Sequence, residues 1–81
     1  MNLSEELSQF IVKNFLKGDV PEGFNEDYHL INNGILDSLA ILTLVTHLDK
    51  TYGIEVGEND IVIENFETVT AMTRFLNDKL A

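Results

Sequence analysis

An amphipathic stretch from about Ser38 to Tyr52 constrains the fold of this chain more than any other segment. Large apolar side chains recur there every three or four residues, which is the spacing of one face of an α-helix. Gly53 follows as a stop signal, and Lys50 suits the negative end of the helix dipole. A helix with such a face needs other elements to cover it. The stripe consists of Ile41, Leu44, Val45, Leu48 and Tyr52.

Two further segments show the same spacing and can cover that face. The first helix is predicted over about residues 3–17, with Asn2 as its cap and Gly18 as its stop. The last helix is predicted over about residues 68–80, with Thr68 as its cap. Three main helices joined by connections of unequal length predict a small all-α bundle. The inner faces are predicted to be Leu7, Phe10, Ile11 and Phe15 in the first helix, and Val69, Met72, Phe75, Leu76 and Leu80 in the last.

The two longer connections lead to different expectations. Residues 19–36 are predicted to form a long loop, because Pro21, Gly23, Gly34 and several asparagines favour turns. A loop of this length inside a small domain is usually functional or mobile. For residues 54–67 the pattern leaves two short strands and a short helical turn equally open. The apolar residues expected to pin the long loop to the core are Leu30, Ile31, Ile35 and Leu36.

Length and composition exclude several classes of protein. The 81 residues suffice for one small core, so residues 1–81 are interpreted as a single domain. The chain has no cysteine, which excludes disulfides and thiolate sites and fits a reducing, cytoplasmic setting. The first residues do not resemble a secretory signal, and no apolar stretch approaches the length of a membrane span. A formal net charge of −9 argues against nucleic acid and anionic membranes as partners.

The residue whose position best suits covalent chemistry is Ser38, where the long loop ends and the second helix begins. Unpaired backbone N–H groups and the helix dipole favour an anion at such a position. A phosphate ester formed on the Ser38 hydroxyl would therefore lie in a favourable field. Asp and Ser are also the commonest helix caps, so Asp37 and Ser38 taken alone leave a purely structural role open.

A longer pattern around this position resembles the attachment motif of acyl carrier proteins, including their D-alanyl and peptidyl carrier relatives. The resemblance covers nearly the whole chain and includes the long loop with Leu30 and Gly34, which runs into Asp37-Ser38-Leu39 at the start of the second helix. Gly53-Ile54 at the end of that helix also matches. The segment Glu64-Asn65-Phe66-Glu67-Thr68-Val69, which leads into the last helix, completes the resemblance.

The resemblance implies that Ser38 carries a covalently attached 4'-phosphopantetheine arm. Asp37 would be the acidic neighbour in the motif, and Leu39 the apolar neighbour that partners often touch. A phosphopantetheinyl transferase, which supplies the base and magnesium, would take the arm from coenzyme A. The arm's thiol would then carry an acyl or aminoacyl thioester between enzymes of a biosynthetic pathway. The implied fold is a bundle of three main helices with a short fourth helix and a long loop between helices 1 and 2.

The partners that the resemblance implies are proteins rather than nucleic acid or a membrane. They comprise the transferase, an acyl- or aminoacyl-activating enzyme, and a downstream acyltransferase or synthase. The chain itself is expected to be a freestanding cytoplasmic monomer without catalytic activity and without a metal site. The sequence does not name the cargo or the pathway.

The second helix departs from the pattern of carriers in fatty acid synthesis, which usually bear several acidic residues there. Between Leu39 and Tyr52 the only charged residues are Asp49 and Lys50. We therefore expect a more apolar docking face, closer to that of carriers serving adenylating or amino-acid-loading enzymes. The predicted docking residues are Leu39, Ala40, Leu42, Thr43 and Thr46.

Two other functions compete with the carrier interpretation. The domain would be a carrier-like interaction module if it bound protein partners without an arm. A serine hydrolase would pair Ser38 with a histidine, but His47 lies more than two helical turns away and no nucleophile elbow surrounds Ser38. His29 and His47 are therefore interpreted as surface or packing residues. The acidic residues between 55 and 67 do not match a calcium-binding loop.

Overall fold

The computed structural model describes residues 2–81 and contains four α-helices and one short 3₁₀ turn. No strand occurs among these residues. The chain therefore forms the small all-α bundle that the sequence predicts. The helices are α1 (Leu3–Asn14), α2 (Ser38–Tyr52), α3 (Ile63–Phe66) and α4 (Val69–Leu80), and the 3₁₀ turn is Glu58–Asp60.

The bounds of α2 and α4 agree with the prediction because local signals determine them. Gly53 ends α2 in the left-handed conformation with φ of 65°, and its N–H donates to the Asp49 carbonyl. Thr68 caps α4 by accepting a hydrogen bond from the Ala71 N–H at 3.0 Å. The predicted cap of α1 is also confirmed, since the Asn2 side chain accepts from the Glu5 N–H.

The predicted end of α1 is wrong by three residues. The helix ends at Asn14 because Lys17 and Gly18 both take positive φ values, of 52° and 83°, and cannot continue it. The Gly18 N–H instead donates to the Val12 carbonyl at 3.0 Å. Phe15 precedes this turn as the C-cap of α1, and its half-buried ring meets the Phe10 ring edge-on.

A single core joins the four helices and the long loop. Leu30 and Leu36 of the loop are buried as predicted, while Ile31 and Ile35 are half-buried against the core. Leu80 corrects the prediction for α4, since it lies one turn beyond the last core residue of that helix and is 48% exposed. The core consists of Leu7, Ile11, Leu30, Leu36, Leu44, Val45, Leu48, Phe66, Val69, Met72, Phe75 and Leu76.

The segment between α2 and α4, for which the sequence allowed either strands or a helical turn, is helical. The 3₁₀ turn and the four-residue α3 replace the two strands that the β-branched residues also allowed. Phe66 explains the choice, because it is fully buried and its ring packs against Phe75 of α4 at a centroid distance of 5.8 Å. Helical backbone around Phe66 turns its side chain into the core while Val62 and Ile63 stay at the surface.

Candidate functional site

The long loop is fastened to the bundle before it reaches Ser38. The Leu30 N–H donates to the Glu67 carbonyl at 2.8 Å, and the Thr70 N–H donates to the Glu26 carbonyl at 3.0 Å. The Leu36 N–H in turn donates to the Leu30 carbonyl at 3.1 Å. Buried leucines and these hydrogen bonds hold both ends of residues 30–36. The backbone that leads to Ser38 is therefore fixed against the bundle at the start of α2.

Asp37 is the N-cap of α2. Its extended backbone lets one carboxylate oxygen accept the Ala40 N–H at 2.8 Å, and its carbonyl accepts the Ile41 N–H at 2.9 Å. A carboxylate at this position also interacts favourably with the positive end of the helix dipole. The cap role that the sequence left open is thus present, and it belongs to Asp37 and not to Ser38.

Ser38 remains available because Asp37 serves as the cap. The residue is exposed, and no hydrogen bond to its hydroxyl is found within residues 2–81. The N–H groups of Ser38 and Leu39, at the first turn of α2, likewise have no protein acceptor within the described part of the chain. An anion attached to the Ser38 oxygen would therefore lie beside two free backbone donors and the positive end of a four-turn helix.

The outward face of α2 is apolar even where its residues are polar by type. The Thr43 hydroxyl donates to the Leu39 carbonyl at 3.2 Å, and the Thr46 hydroxyl donates to the Leu42 carbonyl at 3.0 Å. Because both hydroxyls bond to the helix backbone, neither threonine needs a polar partner from outside. Leu39 is 73% exposed and Leu42 is 54% exposed on the same helix. The face therefore offers leucine side chains and threonine methyl groups to a partner.

Ala40 differs from the other predicted docking residues. It is half-buried and packs against the core, whereas Leu39, Leu42, Thr43 and Thr46 are exposed. The helical repeat accounts for this, since Ala40 is turned about 100° from Leu39 towards the bundle. Four of the five predicted docking residues thus share one accessible face.

A groove that the sequence did not reveal opens directly beside Ser38. It has a volume of about 300 Å³ and lies between α2 and the segment that leads into α3. Val62 and Ile63 contribute to it and are 41% and 58% exposed. Three consecutive apolar residues in an acidic stretch were the available signal, but their pattern also suited a strand. The groove is lined by Ser38, Ile41, Leu42, Ile61, Val62, Ile63 and Phe66.

Both histidines are engaged away from Ser38. The His29 Nδ1 accepts the Asn32 N–H at 3.1 Å, and its Nε2 lies 3.7 Å from a carboxylate oxygen of Glu67. His47 stacks on Phe10 with ring centroids 3.6 Å apart, and burial lowers the pKa of its imidazole. Neither histidine hydrogen-bonds to Ser38 in the described residues, so the geometry required of a serine nucleophile and its base is not formed there.

Residues 2–81 contain neither a metal-binding cluster nor a membrane-spanning helix. No group of three or more histidine, aspartate or glutamate side chains there is arranged to hold a metal ion. No helix in that range is long and apolar enough to cross a membrane.

Known carrier proteins are similar to this chain over most of its length. No protein-family model matches the chain. The anthracycline acyl carrier protein of Streptomyces sp. strain C5 is 29% identical over 75 residues, which cover 93% of this chain and 87% of that protein. The D-alanyl carrier protein of Streptococcus pyogenes serotype M1 is 30% identical over 74 residues, which cover 91% of this chain and 90% of that protein.

A solved structure resembles the whole bundle. A chain in the crystal structure of an FAD-dependent dehydrogenase superimposes with a TM-score of 0.76 and is 33% identical. The superposition covers 86% of this chain and 97% of that chain, so the two chains are similar in length.

Proposed function

The chain belongs to the acyl carrier protein family, and we propose that it works as a carrier whose Ser38 bears a 4'-phosphopantetheine arm. When bound, the arm supplies a terminal thiol that holds an acyl or aminoacyl group as a thioester. The protein contributes the attachment point, the field around the phosphate and the surface that enzymes recognise. In this role the domain of residues 1–81 has no catalytic activity of its own.

The single observation that carries the proposal is the exposed Ser38 hydroxyl at the start of α2, with Asp37 serving as the cap beside it. The residues fit the group chemically. The free N–H groups of the first helical turn and the helix dipole favour a phosphodiester at that oxygen. Asp37 holds these donors in place by fixing the first turn of α2.

Attachment of the arm requires one covalent step. The Ser38 oxygen attacks the coenzyme A phosphorus that bears the pantetheine, and a new P–O bond forms. The diphosphate bond breaks, and adenosine bisphosphate leaves with its electron pair. The hydroxyl proton passes to a base of the phosphopantetheinyl transferase, which also supplies Mg²⁺. Ser38 therefore acts only as an acceptor, and we place the step in the cytoplasm, where coenzyme A is available.

The expected partners are the transferase, an acyl- or aminoacyl-activating enzyme and a downstream acyltransferase or synthase. We propose that they dock on the outward face of α2, which Leu39, Leu42, Thr43 and Thr46 form, with Ala40 at its edge. Because one structural relative belongs to the crystal structure of an FAD-dependent dehydrogenase, we add such an enzyme to the downstream partners. We propose that the chain meets each of them as a monomer.

The mass of the intact protein tests the proposal. The purified chain is incubated with coenzyme A, Mg²⁺ and a broad-specificity phosphopantetheinyl transferase, together with the variants Ser38→Ala and Ser8→Ala. We expect one phosphopantetheine on the wild type and on Ser8→Ala, and none on Ser38→Ala. No addition to the wild type, with a transferase that modifies another carrier, would favour the interaction module that works without an arm.

A further inference from the structure

A second exposed surface lies on α1 and includes none of the residues around Ser38. A shallow groove of about 640 Å³ follows the last two turns of this helix and the turn after it. A smaller groove of about 440 Å³ adjoins it towards α2, since Gln9 and Lys13 line both. Neither groove shares a residue with the groove beside Ser38. The larger one, the α1 groove, is lined by Ser8, Gln9, Val12, Lys13, Lys17 and Gly18.

The charge of the α1 groove is opposite to that of the whole chain. Lys13 and Lys17 are exposed there and no carboxylate lines the groove, although the chain has a net charge of −9. Neither lysine forms an ion pair within residues 2–81. In the adjoining groove the one carboxylate, that of Glu6, accepts the hydrogen bond from the Tyr52 hydroxyl. The α1 groove is thus a local basic surface on an acidic protein, and it favours an acidic ligand.

The backbone of Lys17 is unusual for a lysine. Its φ of 52° lies in the left-handed region, which glycine adopts at less cost. The helix dipole favours a cation at Lys13, in the last turn of α1, but the helix has ended before Lys17. Packing does not require this side chain either, because it is exposed. A lysine at a position that suits glycine, in the same groove as a second lysine, indicates a role for its charge.

The shape of the α1 groove selects among acidic ligands. Half-buried Ser8 and Val12 lie four residues apart on one face of the helix and line the groove together. A small anion would need the lysines alone, whereas a groove that follows two helical turns past Val12 suits an extended ligand with an apolar side chain. We propose that the α1 groove binds an acidic segment of a partner protein, which contacts both lysines and places an apolar side chain against Val12.

The inference goes beyond the proposed carrier function and does not depend on it. The α1 groove has no residue in common with the outward face of α2, which Leu39, Leu42, Thr43 and Thr46 form. One partner can therefore hold the protein by α1 while another acts at Ser38.

Nuclear magnetic resonance on the unmodified chain tests the binding. The probe is a synthetic amphipathic helix with glutamates on one face and leucines on the other. We expect saturable shifts at the amides of Val12, Lys13 and Gly18. A control peptide with lysine in place of each glutamate should not produce them. Absence of these shifts, or shifts confined to Leu39 and Leu42 on α2, would overturn the inference.

Two double variants with equal charge test the role of the lysines. Lys13→Gln combined with Lys17→Gln should raise the Kd of the glutamate peptide about fivefold, because exposed ion pairs each contribute modestly. Lys50→Gln combined with Arg74→Gln removes the same charge from exposed positions outside both grooves and should leave the Kd unchanged. Equal effects of the two variants would show that only net charge matters and would overturn the inference.

The variant Lys17→Gly separates binding from folding. Glycine tolerates the left-handed backbone, so the melting temperature should not fall, while the Kd of the glutamate peptide should rise about twofold. An unchanged Kd would exclude Lys17 from the binding surface and overturn the inference as stated.

Two further measurements identify the ligand class and the relation to Ser38. If inorganic phosphate shifts the same amides with the same Kd as the peptide, the groove binds a small anion and not a protein segment. Saturating peptide should leave the rate of Ser38 modification by the transferase unchanged, and a slower rate would overturn the independence of the two surfaces. A chain that binds the peptide but is never modified would overturn the carrier function and leave this inference intact.

Discussion

The Tyr52 hydroxyl donates a hydrogen bond of 2.8 Å to a carboxylate oxygen of Glu6, and thereby joins the end of α2 to the first turns of α1. The stacked rings of Phe10 and His47 lie along the same seam. These contacts connect α1 and α2 at the edge of the apolar core. They also shield the tyrosine, and burial together with the hydrogen bond to Glu6 raises the pKa of Tyr52 to about 12.

The first prediction concerns stability at alkaline pH. The ordinary pKa of tyrosine is 10.0, so the folded state favours the protonated hydroxyl of Tyr52. Its stabilising contribution is complete below pH 10 and is lost as the pH rises from 10 towards 12. Tyr52→Phe should lower the free energy of unfolding at neutral pH by about 1 kcal/mol and should reduce the alkaline loss. Urea titrations at a series of pH values measure both effects.

Tyr28→Phe is the matched control for that prediction, because the Tyr28 hydroxyl has no hydrogen-bond partner among the described residues. We expect its unfolding free energy at neutral pH to equal that of the wild type. Equal losses in the two variants would contradict a specific role for the contact between Tyr52 and Glu6.

The second prediction separates the two roles of Asp37. Asp37→Ala should lower the unfolding free energy by about 1 kcal/mol because the first turn of α2 loses its cap. Asp37→Asn keeps a capping oxygen and should remain close to the wild type in stability. If the carboxylate charge also serves recognition, Asp37→Asn will still slow modification by the transferase. Chemical denaturation and the modification rate are measured on both variants.

Asp78→Ala provides the comparison for Asp37, since Asp78 is exposed on α4 and its side chain makes no hydrogen bond or ion pair within residues 2–81. It should change neither stability nor modification. A stable Asp37→Ala variant would show that Asp37 contributes little as a cap.

The third prediction tests the apolar character of the docking face. Leu42 is more than half exposed, so Leu42→Glu should change the unfolding free energy by no more than about 0.5 kcal/mol. A new charge on that face should nevertheless raise the KM for the carrier in the transferase reaction by about tenfold. The same change should slow loading by the natural activating enzyme.

Lys50→Glu is the control for Leu42→Glu because it makes the same helix more acidic two turns farther from Ser38. It should leave the KM near the wild-type value. If the two variants behaved alike, overall charge and not the apolar surface would determine docking.

The fourth prediction concerns ionic strength. A net charge of −9 on a chain of 81 residues implies repulsion within the folded state. Raising the ionic strength from about 0.01 M to about 0.3 M shortens the screening length and should therefore raise the melting temperature. Calorimetry in sodium chloride measures the shift, and a variant combining Glu22→Gln with Glu26→Gln should show a smaller one. A melting temperature that did not depend on salt would contradict the repulsion.

Much of the structure followed from local signals in the sequence. The bounds of α2 were predicted correctly because its cap, its apolar stripe and the left-handed Gly53 are each read from a few neighbouring residues. The same holds for Ser38, which the pattern of loop, Asp37 and helix identified as the candidate site. A resemblance that extends over most of the chain then indicated the family.

Contacts between distant residues determined what local signals left open. Periodicity placed the end of α1 three residues too late, because it does not register the left-handed backbone of Lys17 and Gly18. Residues 54–67 remained ambiguous until burial of Phe66 against α4 selected a helix over strands. Val62 and Ile63 lie beside Ser38 because residues 54–67 fold back towards α2, which their own sequence pattern does not show. The sequence by itself thus determined the three main helices and pointed to Ser38 as the candidate site, whereas the surface around Ser38 depends on long-range packing that a local pattern does not encode.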